Sequence, residues 1–331
     1  MLLKIFRGTG PEVILLIIIT LILLWLSAFI DPQVQSAAVY EVKPMPLYGV
    51  LKYLTGTDIR AGVILTFIIL TVLLFLLVNF NTSVFFIEER TFLPAFIYVL
   101  FSSLLPSLQV LNPVLPALVF LLPALKRIME AYRKSGTAFN FFDAALLISI
   151  GSLFYADLIW FGLLVFAGIV LLRSVNMIEI FISVAGLLTP YIMVFGIWYV
   201  IGNDMGILAG DLRENLFAGS PEIAFSGTEK VVLIFSGLLI LVSTLFLFQQ
   251  AHKRKIKSRK TFYLLLWLFI ISLVLYFILP SASAELLWIT AIPACYIISH
   301  YFIFVRKKKI AEVVFTGFFL LILVIQAVRL F

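Results

Sequence analysis

Residues 12–30 read EVILLIIITLILLWLSAFI, and after Glu12 this run contains no ionisable side chain. An apolar helix of about 20 residues is long enough to cross the roughly 30 Å hydrocarbon core of a bilayer. The run is longer than the apolar core of a typical signal peptide, so we expect a retained helix. Comparable runs recur along the chain, at 61–80, 180–202, 231–250, 261–279, 286–305 and 310–328.

The composition extends this prediction to the whole chain. Hydrophobic residues make up 63% of the 331 positions and charged residues 12%, with a mean hydropathy of +1.17, whereas soluble domains are about 25% charged. Backbone amides in lipid need partners within their own segment, and these runs lack the alternation of barrel strands. We therefore predict an all-α fold, a polytopic transmembrane helix bundle that forms a single integral membrane domain over residues 1–331.

The distribution of positive charge predicts the topology. The net charge is +7, and in membrane proteins Lys and Arg collect on the cytoplasmic side, so the excess does not indicate a nucleic acid partner. Two regions are ambiguous: 92–125 is interrupted by prolines, and 138–173 is too long for one span. If each is a hairpin, the chain has about eleven helices and 18 of its 24 basic residues lie on one side. This predicts a cytoplasmic N-terminus and two longer outer loops, 31–60 and 203–230.

The first outer loop contains candidate catalytic residues. Asp31 directly follows the first apolar run, and LYGVLKYLTG, residues 47–56, has the pattern of an amphipathic helix lying in the membrane interface. Asp31, with Glu41 in support, would act as a general base on an acceptor hydroxyl, while Lys52 or Arg60 would neutralise a lipid phosphate. The alternative is that Asp31 only begins a solvated loop.

The second outer loop has a similar interfacial pattern. Charged residues around Arg213 are mixed with Leu212, Leu216 and Phe217, which is typical of a segment at the membrane surface. Arg213 is a candidate for substrate binding, and the loop could close over a cavity together with the first one. The alternative is a solvated connection that contains a helical turn.

Two carboxylates bracket the apolar segment DAALLISIGSLFYAD, residues 143–157. An ionised carboxylate within a span is costly and is a functional-site candidate for that reason. Asp143 lies close to several basic residues, so we expect an ion pair there. Asp157, which the topology places at an outer turn, is the candidate for substrate binding.

Part of the chain resembles known families. The stretches PALVFLLPALKRI, FNFFDAALLISIGSLFYADLIWFGLLVFAGIVLLR and ISVAGLLTPYIMVFGIWYVIG resemble a family of multi-pass membrane proteins of Bacteroidota that has no assigned function. This resemblance implies a protein of the bacterial inner membrane. Their order is also similar to the middle of polyprenyl-phosphate-sugar-dependent membrane glycosyltransferases. In that superfamily an acidic residue just after the first helix is the catalytic base and an interfacial helix follows it. The resemblance therefore implies this role for Asp31, with residues 47–56 as the interfacial helix.

Three functions remain open at this point. The chain has no Walker A loop, HExxH motif, nucleophile elbow or dinucleotide fingerprint, so ATP-driven work by this chain alone is not expected and no particular cofactor is predicted. The first function is a glycosyltransferase-like enzyme that uses a polyprenyl-phosphate-linked sugar at the outer face. The second is a non-catalytic subunit or scaffold with a protein partner in an envelope complex, and the third is a transporter or flippase. Membrane lipids are expected partners in all three.

Overall fold

The computed structural model describes residues 2–8, 10–30, 43–84, 86–87, 89–132, 138–172, 176–219, 225–250, 255–282 and 284–330. Across these ranges every regular element is a helix, as the composition predicts. The α-helices are α1 Leu2–Phe6, α2 Pro11–Ile30, α3 Pro46–Thr55, α4 Ile59–Val84, α5 Leu93–Ser102, α6 Val114–Glu130, α7 Ala138–Ser152, α8 Leu163–Leu172, α9 Met177–Val200, α10 Met205–Phe217, α11 Gly227–Gln250, α12 Ile256–Ile278, α13 Leu286–Phe304 and α14 Lys308–Leu330. Two 3-10 segments, Pro106–Leu108 and Ala156–Gly162, complete the described secondary structure.

Seven of these helices are long and apolar enough to cross a membrane, namely α2, α4, α9, α11, α12, α13 and α14. The protein is therefore a multi-pass membrane protein. Most of these helices expose apolar side chains on one face, as lipid contact requires, whereas α13 is apolar and buried on nearly all sides. A helix that is hydrophobic all round belongs in the interior of a bundle, and α13 is accordingly surrounded by α5, α11 and α12.

The two ambiguous regions each contain two helices separated by a turn. Between α5 and α6 the chain turns at 103–113, where Pro106 begins a 3-10 segment and Pro113 precedes α6. Between α7 and α8 it turns at 153–162. These four helices have 10 to 17 residues, and at 1.5 Å per residue the shorter ones do not reach across a bilayer core. The count of eleven crossing helices stays a prediction.

Contacts between helix termini define the two ends of the bundle. At one end Arg7 pairs with Glu89 at 2.8 Å, and the Ser258 hydroxyl donates to the carbonyl of Phe86 at 2.9 Å. We call this the basic end. Helix α4 runs from this end back to Ile59, next to α3, so that α3 lies at the opposite end. We call the opposite end, which also carries α10, the loop end.

Helix α9 is held to the bundle mainly by α7 through small side chains. A Cβ atom added to Gly186 would lie 2.7 Å from the carbonyl oxygen of Phe142 and 3.0 Å from the Cβ of Ala145. The Ser149 hydroxyl also donates to the carbonyl of Leu187 at 2.6 Å. Small residues at a helix contact let two backbones approach closely in lipid, and this contact positions α9 and the loop that follows it.

Candidate functional site

Four polar side chains meet at the loop end from parts of the chain that are distant in sequence. The Tyr155 hydroxyl lies 3.2 Å from Asp157 Oδ2 and 3.3 Å from Glu285 Oε1. The Ser281 hydroxyl lies 3.1 Å from Asp157 Oδ1 and 3.0 Å from the carbonyl oxygen of Leu216 in α10. We call Tyr155, Asp157, Ser281 and Glu285 the carboxyl cluster.

Two tight turns position the cluster. After α7 the backbone amide of Tyr155 donates to the carbonyl of Gly151, and the 3-10 segment that follows carries Asp157. A Cβ atom on Gly151 would lie 2.4 Å from Leu158 and 3.1 Å from the carbonyl oxygen of Ala117. Glycine is therefore required for this close packing. The second turn joins α12 to α13, and the structure describes its residues 279–282 and 284–285.

Glu285 occupies the N-cap position of α13. The unpaired N–H groups of a helix N-terminus carry a partial positive charge, which favours a negative side chain there. Both carboxyl groups of the cluster are nevertheless withdrawn from solvent, since the exposed fraction is 2% for Asp157 and 0% for Glu285. Burial of this kind disfavours two negative charges side by side.

The electrostatics of Asp157 follow from this burial. Asp157 lies outside the seven candidate spans. Loss of hydration raises its pKa from 3.8 to about 7; the Ser281 hydroxyl lowers it, the charge of Glu285 raises it and the Tyr155 hydroxyl lowers it. The carboxyl group therefore gains and loses a proton near neutral pH, where acid–base groups are most effective.

Helices α3 and α10 lie over the cluster. Met45, Tyr48 and Ala156 form a small apolar core with Leu51, Leu111, Leu212 and Leu216 packed around it. The Tyr48 hydroxyl donates to the carbonyl of Leu111 at 3.2 Å, and the backbone amide of Leu47 donates to the carbonyl of Leu153 at 3.0 Å. These contacts seat α3 on the turns that follow α5 and α7.

The two long loops contact each other directly. Lys43 Nζ lies 2.6 Å from Asp211 Oδ1 and 3.3 Å from Glu214 Oε2. Hydrogen bonds with these two carboxylates raise the pKa of Lys43. The Asn215 side chain donates to the backbone carbonyl of Lys43 at 2.7 Å and accepts from its backbone amide at 3.0 Å. The described parts of the two loops therefore form one continuous cover at the loop end.

An apolar cavity of about 280 Å³ opens at the same end between α11, α12 and α13. Its lining includes Ala284 and Leu286, the two neighbours of Glu285 in sequence. The serine and threonine hydroxyl groups in the lining are already used within their own helices: Ser236 donates to the backbone carbonyl of Leu233, Ser272 to that of Leu268 and Thr290 to that of Leu287. A hydroxyl bonded in this way does not require a polar ligand. The cavity therefore favours an apolar ligand.

The structure separates the predicted site residues into two groups. Asp157 belongs to the carboxyl cluster and is buried, whereas Lys52, Arg60 and Arg213 are exposed at the loop end. The Lys52 ammonium lies over the ring of Tyr48, 4.8 Å from its centroid. Asp31 and Glu41 lie outside the described residues. The structure therefore leaves the proposed base and its support as predictions.

Tyr155, Ser281 and Glu285 are the cluster residues that sequence reasoning missed as a site. The predicted topology places Glu285 on the same side of the membrane as Asp157, and this was the one indication in the sequence that the two could belong to one site. No sequence pattern indicates that the two carboxyl groups share a hydroxyl partner. Elsewhere the expected ion pair of Asp143 is present, since its Oδ2 lies 3.5 Å from Arg127 Nε. In the described part of the chain, no three His, Cys, Asp or Glu side chains come together as a metal site.

Comparison with known proteins identifies the family. A family of unknown function, DUF6427, matches residues 46–331, and the chain belongs to this family. No curated protein and no solved structure matches the chain. The bacterial group and the likeness to glycosyltransferases stay predictions.

Proposed function

We propose that this member of the DUF6427 family binds a long-chain lipid at its loop end and acts there as a glycosyltransferase-like enzyme on a polyprenyl-phosphate-linked donor. The observation that carries the proposal is the apolar cavity between α11, α12 and α13. A carrier lipid needs such a groove next to a polar site, because its chain and its phosphate require different surroundings.

The size and lining of the cavity suit one segment of a lipid chain. Sites that enclose a whole small molecule are generally about 300–1,000 Å³, so a cavity of about 280 Å³ holds only part of a long chain. The rest of the chain would stay in the bilayer. Tyr276 and Phe277, which line the cavity, are also exposed on the lipid-facing side of α12, and this supports entry from the membrane.

The polar surroundings at the loop end support the second half of the proposal. Lys52, Arg60 and Arg213 supply exposed positive charge at the end where the cavity opens. A phosphate that leaves in group transfer requires such charge to balance its own. In this proposal Asp31 is the base on the acceptor, with Glu41 in support, and Asp157 contributes to the site from below the cover of α3 and α10.

The lipid half is tested by filling the cavity at Gly237. This residue lines the cavity, and a Cβ atom added to it would meet no atom within 4 Å. Gly237→Leu should therefore occupy the groove without disturbing the helix. Gly317 in α14 also has open space around an added Cβ but does not line the cavity, so Gly317→Leu is the matched control.

The measurement is photolabelling of purified protein in lipid nanodiscs with a photoreactive polyprenyl phosphate. We expect labelling of the wild type and of Gly317→Leu, and a loss of roughly tenfold or more in Gly237→Leu. Equal labelling of all three proteins would overturn the lipid site. Labelling without consumption of a polyprenyl-phosphate-linked sugar would retain the lipid site and reject the transferase in favour of a non-catalytic or transport role. Full donor turnover by Asp31→Asn would exclude Asp31 as the base.

A further inference from the structure

The Ser281 hydroxyl of the carboxyl cluster lies within hydrogen-bond distance of two acceptors. A tyrosine hydroxyl and a serine hydroxyl each carry one hydrogen, and an ionised carboxylate or a carbonyl oxygen only accepts. Tyr155 contacts Asp157 and Glu285, and Ser281 contacts Asp157 and the carbonyl of Leu216. If Asp157 is ionised, the one hydrogen of Ser281 faces two acceptors, Asp157 Oδ1 and the carbonyl oxygen of Leu216. One further proton on the carboxyl pair supplies a second hydrogen.

Asp157 is the group on which this proton has the greatest effect. It takes part in both hydroxyl chains, one leading through Tyr155 to Glu285 and the other through Ser281 to Leu216. A protonated Asp157 donates into one chain, and the hydroxyl in that chain is then free to donate onward. Through Ser281 this series of hydrogen bonds ends on the backbone carbonyl of Leu216 in α10. The contact that holds α10 on the bundle therefore depends on the protonation of Asp157.

The surroundings supply little positive charge to replace the proton. The elements packed on the 3-10 segment of Asp157 are α7, α8 and α10, and α3 packs on Ala156 of that segment. The ionisable side chains of α3 are Tyr48, Tyr53 and Lys52, and the exposed Lys52 ammonium lies over the Tyr48 ring. The only ionisable side chain of α7 is Asp143, in its N-terminal half, and α8 has none. The ionisable side chains of α10 are Asp211, Arg213 and Glu214, of which Arg213 is exposed and the two acids contact Lys43. The turn between α12 and α13 brings the second carboxyl group, Glu285, whose charge opposes ionisation of Asp157.

We propose that the carboxyl cluster is a proton-dependent latch: a proton on Asp157 holds the C-terminal part of α10 on the bundle, and release of this proton loosens α10 at the loop end. Leu212 and Leu216 pack on Met45, Tyr48 and Ala156 next to this contact, so loosening of α10 also weakens the cover that it forms with α3. The burial that raises the pKa of Asp157 to about 7 places this release near neutral pH. The latch does not depend on lipid binding and is tested separately from it.

The proton is measured by infrared difference spectroscopy, which detects the C=O stretch of a protonated carboxyl group. We expect a band in the wild type that is lost as the pH rises through about 7, and that is absent from Asp157→Asn. Asp143→Asn, whose carboxylate is 44% exposed and contacts Arg127, is the control and should keep the band. Retention of the band in Asp157→Asn, or its loss only in Glu285→Gln, would overturn the assignment.

The latch is measured by hydrogen–deuterium exchange of the α10 peptide, normalised to the α9 peptide of the same sample. In the wild type the ratio should rise at least severalfold from mildly acidic to mildly alkaline pH. In Asp157→Asn it should stay constant, because the neutral amide keeps a donor for the chains. If that variant does not fold, Tyr155→Phe retains both carboxyl groups, removes the shared hydroxyl and should shift the infrared titration. An α10 ratio with the same pH dependence in wild type and variant, or an unshifted titration in Tyr155→Phe, would refute the latch.

Discussion

Replacement of Asp157 by asparagine should change how the stability of the protein depends on pH. The native carboxyl group has a pKa of about 7, against 3.8 for the ordinary group. Between these two values the native state keeps the proton while the unfolded chain has lost it. The stabilisation is therefore complete below 3.8, decreases as the pH rises through this window and is gone above about 7.

The magnitude follows from the same two values. A difference of about three in pKa, at about 1.4 kcal/mol for each, corresponds to about 4 kcal/mol across the whole window. The asparagine side chain of the variant does not titrate, so this contribution disappears. The free energy of unfolding of Asp157→Asn, measured relative to the wild type, should rise by up to about 4 kcal/mol between about pH 4 and pH 8.

The assay is equilibrium unfolding in mixed detergent micelles over a series of pH values. Asp143→Asn removes an acid of the same type that is half exposed and paired with Arg127, and its curve should run parallel to that of the wild type. The reasoning is refuted if the curve of Asp157→Asn also runs parallel to the wild type, since the buried carboxyl group would then bind its proton no more tightly in the native state than in the unfolded chain.

Two further changes test the packing that positions the loop end. Gly186→Ala should lower the free energy of unfolding by about 1–3 kcal/mol through overpacking against α7. Gly196→Ala in the same helix has open space around the added Cβ and should leave it unchanged. Equal unfolding curves for the two variants would contradict the close contact between α7 and α9. Asn215→Ala leaves two backbone groups of Lys43 without their partner and should cost about 1–3 kcal/mol, seen as faster proteolysis of the segment before α3. Lys43→Ala keeps those backbone bonds and should be cleaved more slowly than Asn215→Ala, so the reverse order would contradict the prediction.

The spans were the most predictable part of the fold. The runs 12–30 and 286–305 correspond to helices Pro11–Ile30 and Leu286–Phe304, and the interfacial pattern at 47–56 corresponds to Pro46–Thr55. A bilayer fixes the length of a helix, and lipid requires apolar side chains, so local composition is sufficient to find these elements. Regions with several prolines or glycines gave a less definite prediction, because their helices depend on packing against neighbours.

The carboxyl cluster was less predictable because its members come from two distant turns. Asp157 was identifiable as an acid within an apolar stretch, which is a local property. Glu285 begins a helix after a short polar turn, and in sequence this is typical of an exposed N-terminal acid. Only the packing of the 3-10 segment against the turn between α12 and α13 brings Tyr155 between the two groups. The number of helices between two residues predicts whether they lie at the same end of a bundle. Whether they touch depends on tertiary packing.

The two carboxyl groups are not equivalent, and the difference assigns the proton. Glu285 is at the N-cap of α13, a helix of 19 residues, whose N-terminal dipole stabilises a negative charge in its first turn. Asp157 is the second residue of a 3-10 segment of 7 residues that leads directly into α8, and a 3-10 turn has poorer hydrogen-bond geometry than an α-helical turn. When one charge must be given up in a buried pair, the helix terminus favours its retention on Glu285 and leaves the proton on Asp157. The site through which α10 is held is therefore determined by the kind of helical turn in which each carboxyl group lies.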